Sequence, residues 1–303
     1  MNGAAAGYVT VAVTSDPSEA ALTYVALIVA TLVAATLGWL VMARLPHVLS
    51  PGALGRLLEP ARRSLGRISG HHVRSDQAAL TLIVVAAVGA VVGGAVVAVM
   101  WLAVRRWEWV RELDGAVNRW GADHDTATSD RILHHITDLA DTRDTVIVGV
   151  IVGVIELARR RNWWVAAYLL IVPFGATAIN TSIKYAADRA RPVLNPEAAT
   201  LGPSFPSGHS ATAAAFYAAC ALVLARGSSP RAVRALAGAA AGVAVAVAST
   251  RVLLGVHWVS DVVAGLSVGW TWWALVSIAM GRWLLRTPAH RHAPAVVPKD
   301  AAP

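Results

Sequence analysis

The chain has 303 residues, of which 56% are hydrophobic and 15% charged, and its mean hydropathy is +0.55. A soluble domain carries roughly 25% charged residues, so this composition argues against a soluble enzyme and for a polytopic membrane protein. The net charge of +8 does not indicate nucleic-acid binding, because the arginines sit mainly between apolar runs, and a single cysteine, Cys220, excludes an internal disulfide and a cysteine metal cage.

Met1 to Ala21 contains no Lys or Arg and carries Asp16 and Glu19. A signal peptide starts with a basic region, so the first apolar run, Leu22 to Met42, is expected to be an anchor with its N-terminus outside. Residues 43–77 form a basic linker with Arg44, Arg56, Arg62, Arg63, Arg67 and Arg74, in which Leu54 to Ile68 has the pattern of an amphipathic helix on the inner leaflet. Six more runs follow, approximately Ala78 to Val104, Thr145 to Ala158, Trp163 to Lys184, Ser210 to Ala225, Val233 to Thr250, and Val259 to Met280. A spanning helix needs roughly 17–25 residues, so the Thr145 run must borrow flanking residues. Pro173 is expected to kink the run that contains it. Arg105 to Asp144 reads as a loop of mixed charge with many acids, among them Glu108, Asp114, Asp123, Asp125 and Asp130. The Pro/Ala-rich tail, within 283–303, is expected to be disordered.

Charge sets the orientation. Arg159, Arg160 and Arg161 follow the third span, Arg226, Arg231 and Arg234 follow the fifth, and Arg282, Arg286, Arg291 and Lys299 follow the seventh. Seven alternating spans place all of them on the cytoplasmic side of a plasma membrane. Gly89/Gly93, Gly149/Gly153, Gly238/Gly242 and Gly265/Gly269 are spaced for close helix approach.

Three polar blocks interrupt the apolar runs, all on the outer side. In the first, Lys184 and Arg191 are seven residues apart and share a face if the helix persists, while Pro192 turns the chain away. Lys offers a point charge and Arg a planar fork for phosphate oxygens; alone, the pair also fits juxtamembrane anchoring. Arg189 is expected at the surface or behind the ligands. In the second block, Ser207 or Ser210 can cap the helix that follows, Gly208 lets backbone approach a ligand, and His209 would stand where it could protonate a leaving oxygen. A plain helix cap with an interfacial histidine is the alternative. In the third, His257 and Asp261 are four apart on one helix face, and Arg251 adds a third cation. A carboxylate on one ring nitrogen fixes the tautomer and leaves the other free to attack; a structural His–Asp pair would look the same.

Together the blocks resemble the signature of the type 2 phosphatidic acid phosphatase superfamily: Lys-x6-Arg-Pro, Pro-Ser-Gly-His, and Ser-Arg-x5-His-x3-Asp. The first two match in full, and the third has Thr250 in place of Ser. The resemblance covers roughly Ala78 to Met280. It implies an all-α polytopic bundle with a six-helix core over 78–282 and one extra N-terminal transmembrane helix. It further implies metal-independent, cofactor-free hydrolysis of a phosphorylated lipid. His257 would attack phosphorus to form a phosphohistidine, with Asp261 orienting it. His209 would protonate the leaving group and then help activate water. Lys184, Arg191, Arg251, Ser207 and Gly208 would hold the phosphoryl oxygens. Polyprenyl diphosphate is the first expectation for the substrate; phosphatidylglycerophosphate or phosphatidate is second. An anion transporter would carry polar residues through its spans, and a non-catalytic lipid binder would have lost His209, His257 or Asp261. Neither pattern is present. No signal of oligomeric state is found.

Overall fold

A computed structural model describes residues 73–195, 198 and 201–284. The first span, most of the basic linker and the C-terminal tail lie outside the described residues. Eight helices run in chain order: α1 Val73–Arg106, α2 Glu108–Asp123, α3 Ala127–Asp138, α4 Thr142–Arg160, α5 Trp164–Ala187, α6 Gly208–Ala225, α7 Pro230–Leu253 and α8 Val259–Leu284. No strand occurs among the described residues.

Local chemistry sets the helix ends. Thr126 and Ser129 form a reciprocal capping box at the start of α3. Ser229 caps α7, with Pro230 in its first turn. At the other ends, Arg161 and Asp188 take left-handed conformations, with φ of 52° and 43°, and stop α4 and α5. α5 runs through Pro173 without a break.

The protein is a multi-pass membrane protein. Among the described residues, five helices are long and apolar enough to cross a bilayer: α5, α6 and α7 over their whole length, α1 from Val88, and α8 to Gly281. α4 carries charges at both ends and falls outside that set, yet Val146, Ile147, Val150, Ile151, Val154 and Ile155 give it an exposed apolar face. Such a face is stable only against lipid.

α6 and α8 form the centre. α8 packs against α1 on one side and α6 on the other, while α5 and α7 flank α6. The contact of α6 with α8 uses the Gly265/Gly269 pair. A Cβ on Gly265 would fall 2.4 Å from the carbonyl oxygen of Ser207, and one on Gly269 would fall 2.2 Å from that of Ala211. Only glycine allows the two backbones this close. The Gly149/Gly153 pair has no such use, since a Cβ at Gly153 would meet nothing. The core beneath is built from Tyr168, Val172, Ala176, Phe216, Ala219 and Val223, with Cys220 buried among them.

The segment 105–144 departs from expectation. Instead of a loop it forms two amphipathic helices, α2 and α3, and the start of α4. Gly121 of α2 lies against the backbone of Leu253, and Leu133 of α3 clusters with Leu254 and Val256 at the end of α7. These helices cover the membrane face where α5 and α7 end and α4, α6 and α8 begin.

Candidate active site

All three polar blocks reach that same face. Lys184, in the last turn of α5, donates from Nζ to the carbonyl of Pro203 at 2.6 Å. Arg191 does not share a helical face with it, because α5 has already ended at Asp188. The two cations converge through the loop instead. Arg191 donates to the same Pro203 carbonyl at 3.3 Å, to Gly202 at 2.8 Å and to Val256 at 2.7 Å. Its NH1 also stands 3.1 Å from Nε2 of His257.

Ser207 caps α6. Its oxygen accepts from the Ser210 amide and, at 2.9 Å, from the Ser210 hydroxyl. Its own amide donates to the Asp261 carbonyl at 3.0 Å, which ties the second block to the third. Asn180 of α5 donates to the Pro206 carbonyl at 3.3 Å. A Cβ on Gly208 would meet only Asn180, at 3.6 Å, so packing within the chain does not demand glycine here. His209 turns its Nε2 to Oδ1 of Asp141, 2.8 Å away, and lies within electrostatic reach of Arg251 and Arg191.

Arg251, near the end of α7, is nine-tenths buried. Its NH1 donates to Thr137 at 3.0 Å, while its Nε has no hydrogen-bond partner. Thr250 donates to the Val247 carbonyl at 2.7 Å within its own helix, so its hydroxyl proton is spent on the backbone. His257 sits in the turn before α8 rather than on the helix, held by its amide on the Arg251 carbonyl and its carbonyl on Asn118. Asp261 lies in the first turn of α8. Its Oδ2 accepts from the Trp258 amide at 3.0 Å and stands 3.4 Å from His257 Nδ1. The pair expected on one helix face is therefore made across a helix entry. With Nδ1 toward the carboxylate, the tautomer assigned to this ring carries its proton there and leaves Nε2 unprotonated. Burial pushes the imidazole down to about 3; Asp261 opposes this, and Arg191 and Lys184 reinforce it. At neutral pH the ring is uncharged, the form with a lone pair to give.

Arg189 is neither on the surface nor a spare cation. It bonds Asp261 Oδ1 at 2.5 Å and Asp114 at 2.8 Å, and Asp114 also takes the amide and hydroxyl of Ser260. One guanidinium is thus shared by two buried carboxylates. By contrast, Lys184, Arg191 and Arg251 have no carboxylate within 4.0 Å among the described residues. Three partly buried cations that form no direct ion pair thus make a bowl around the two imidazoles, Lys184 and Arg191 toward His257 and Arg251 and Arg191 toward His209, and phosphate oxygens match its donors.

Sequence reasoning did not find Asp114, Asn118, Thr137 or Asp141, and placed Arg189 too loosely. All four missed residues come from the segment that reads as a loop. The signal available was a repeat of inward polar residues at helical spacing, with Asp114 and Asn118 four apart.

Beside the bowl an apolar cavity of about 590 Å³ opens between α1, α5 and α8. Gly93, Gly94, Trp101, Ile183, Phe205 and Trp272 line it, and Phe205 directly precedes Pro206 and Ser207 in the chain.

A family model described as the PAP2 superfamily matches residues 161–284. Phosphatidylglycerophosphatase B of Bacillus subtilis is 33% identical over 144 residues, which is 46% of this chain and 68% of that protein. The lipid A 1-phosphatase of Rhizobium johnstonii is 33% identical over 124 residues, 38% of this chain and 47% of that protein. The crystal structure of a transmembrane PAP2-type phosphatidylglycerolphosphate phosphatase from Bacillus subtilis superposes with a TM-score of 0.57 at 27% identity. It covers 63% of this chain and 96% of that one.

Proposed function

The chain belongs to the PAP2 superfamily, and from that premise we propose that it removes the terminal phosphate from a membrane lipid through a phosphohistidine on His257. Membership makes it a membrane phosphoric ester hydrolase. The observation that carries the finer reading is the contact of Arg191 with His257 Nε2, backed by Asp261, with two further cations nearby that form no direct ion pair. A phosphoryl oxygen entering the bowl takes over the N–H of Arg191. That frees the Nε2 lone pair to form a P–N bond as the bond from phosphorus to the leaving oxygen breaks. Lys184, Arg191 and Arg251, with Ser207 and the Gly208 amide, hold the equatorial oxygens. His209 gives its proton to the leaving oxygen. A water molecule, returning a proton to His209 as it attacks, then cleaves the P–N bond, yielding phosphate and free His257.

The apolar cavity beside Phe205 supports a lipid substrate, since it offers a chain to be held while its phosphate enters the bowl. Polyprenyl diphosphate is the first substrate proposed, acted on at the outer face of the plasma membrane, away from the arginine-rich ends of α4 and α6. Phosphatidylglycerophosphate is the second, favoured by the name of the Bacillus subtilis relative. Phosphate release from purified protein, compared across polyprenyl diphosphate, phosphatidylglycerophosphate, phosphatidate and a water-soluble ester, separates these readings. Activity should persist in EDTA. Loss on chelation would remove the metal-independent mechanism, and preference for the soluble ester would remove the lipid assignment.

Asp141 belongs in this scheme as a positioning residue. It stands at the N-cap of α4 but makes no capping bond, and spends its carboxylate on His209 Nε2. The other ring nitrogen is then the one that serves the leaving oxygen. Asp141→Asn should slow release from an alkyl phosphate about tenfold, a small part of the 10²–10⁴ that general acid catalysis supplies. Release from p-nitrophenyl phosphate, whose leaving group needs no proton, should hardly change. A loss equal for both substrates would take Asp141 out of that role.

A further inference from the structure

On the membrane face opposite the site, the C-termini of α4 and α6 meet over a buried carboxylate. Glu156, one turn from the end of α4, is fully buried. Arg160 and Arg226 stand 3.1 Å and 3.2 Å from its Oε1, and Arg159 stands 3.8 Å from Oε2. Arg160 also donates to the carbonyl of Arg226, which ties the two helix ends together. Gly227 makes that tie possible: its φ is +73°, and a Cβ there would lie 2.3 Å from the Arg160 guanidinium.

Among the described residues, three guanidiniums against one carboxylate leave two positive charges unmatched. The carbonyl ends of α4 and α6 offset about half a charge each, but the N-termini of α5 and α7 on the same face return as much. Arg226 shows the deficit most clearly. Its side chain is only 10% exposed, and among the described residues its NH1 has no hydrogen-bond partner, as is also true of Arg160 Nε and both Glu156 oxygens. Burial pushes its pKa down, Glu156 opposes this, and Arg160 and Arg159 add to it. Topology alone needs arginines on this face, not their convergence on a buried acid. Trp163 and Trp164 stack with ring centroids 4.1 Å apart, and Trp283 is 5.6 Å from Trp164. These tryptophans set the adjoining helix ends at headgroup level.

We propose that Arg159, Arg160 and Arg226 hold the phosphate of an anionic phospholipid in the leaflet opposite the active site. The guanidinium forks suit phosphate oxygens, and the headgroup supplies the missing negative charge. The site shares no residue with the proposed catalytic machinery and does not depend on that chemistry.

Native mass spectrometry of the full chain, released from nanodiscs of phosphatidylglycerol and phosphatidylcholine in equal parts, tests this. Phosphatidylglycerol should be retained selectively. Arg159→Gln is the first variant, because Arg159 is 45% exposed and least tied into the fold. It should cut retention about tenfold, as loss of a hydrogen bond between charged partners does. Arg226→Lys keeps the charge but loses the fork, and should also weaken retention. Arg231→Gln removes an equal charge from the same face outside the cluster and should change retention by less than about twofold, as a screened surface charge does. Equal losses in Arg159→Gln and Arg231→Gln, or a wild type without headgroup preference, overturn the proposal. Displacement of the lipid by millimolar inorganic phosphate would instead mark a free-anion site and overturn the lipid assignment.

Discussion

His257→Ala should leave a folded protein whose phosphate release falls by at least about 10⁴-fold, the scale on which removal of a catalytic nucleophile acts. Two features make the effect large. The ring is 2% exposed and neutral, and its Nε2 is in contact with a phosphate-competent cation, Arg191. No neighbouring side chain readily replaces it: the His209 ring is engaged with Asp141, the Ser207 hydroxyl is spent on capping α6, and Asp261 is bonded to Arg189. The fold should survive, because Asp261 keeps Arg189 and the Trp258 amide as partners when the imidazole is gone. Quench experiments with a ³²P-labelled substrate check the same point directly. Wild type should trap an acid-labile phosphoenzyme and the variant none. A variant within tenfold of wild-type turnover would end the assignment of His257 as nucleophile.

Asp261→Asn should lower turnover by about 10³–10⁴-fold while changing KM only a few-fold, by the logic of a carboxylate that fixes its histidine's tautomer. Asn matches Asp in shape but not in what it offers. If its amide nitrogen faces His257 Nδ1, the ring proton is driven to Nε2, the nitrogen that must attack. If the nitrogen faces Arg189 instead, a donor meets a donor. Asp261 is fully buried, whereas the Asp141 side chain is 50% exposed. The same substitution should therefore cost far more at 261 than at 141, since solvent screens the second pair. Stability should fall by less than the about 3–5 kcal/mol typical of breaking a buried ion pair, because Asp114 still neutralises Arg189. Steady-state kinetics beside thermal unfolding in detergent separate the two effects. Unchanged turnover would remove Asp261 from its assigned role.

Lipid is an unforgiving solvent, and that made much of the fold legible. A backbone crossing it must be helical and its surface apolar, so the runs near 78, 145, 163, 210, 233 and 259 each appear as a helix whose ends differ from the sequence boundaries by a few residues. The polar blocks stood out for the same reason, since charge beside apolar spans is costly and needs a cause. Legibility failed where that solvent stops. The segment 105–144 lies beyond the spans, where amphipathic helices and acidic loops have similar composition. Its side chains acquire their meaning only through partners such as His209, Arg251 and Arg189, which lie 68, 114 and 75 residues away. Lys184 and Arg191 would share a face only if α5 persisted to Arg191, and the left-handed turn at Asp188 ends it first.

Sequence alone determined the helical class, the apolar spans, and the inventory of cations, histidines and carboxylate at one membrane face. Those are properties of composition and of spacing within a few residues. The tertiary structure decided which cations stay out of direct ion pairs and which is spent on carboxylates. It turned Arg189 into a bracket between Asp114 and Asp261, brought Lys184 and Arg191 to one carbonyl, and gave His209 a partner. Electrostatic pairing depends on distance in space, and no pattern along the chain encodes that distance.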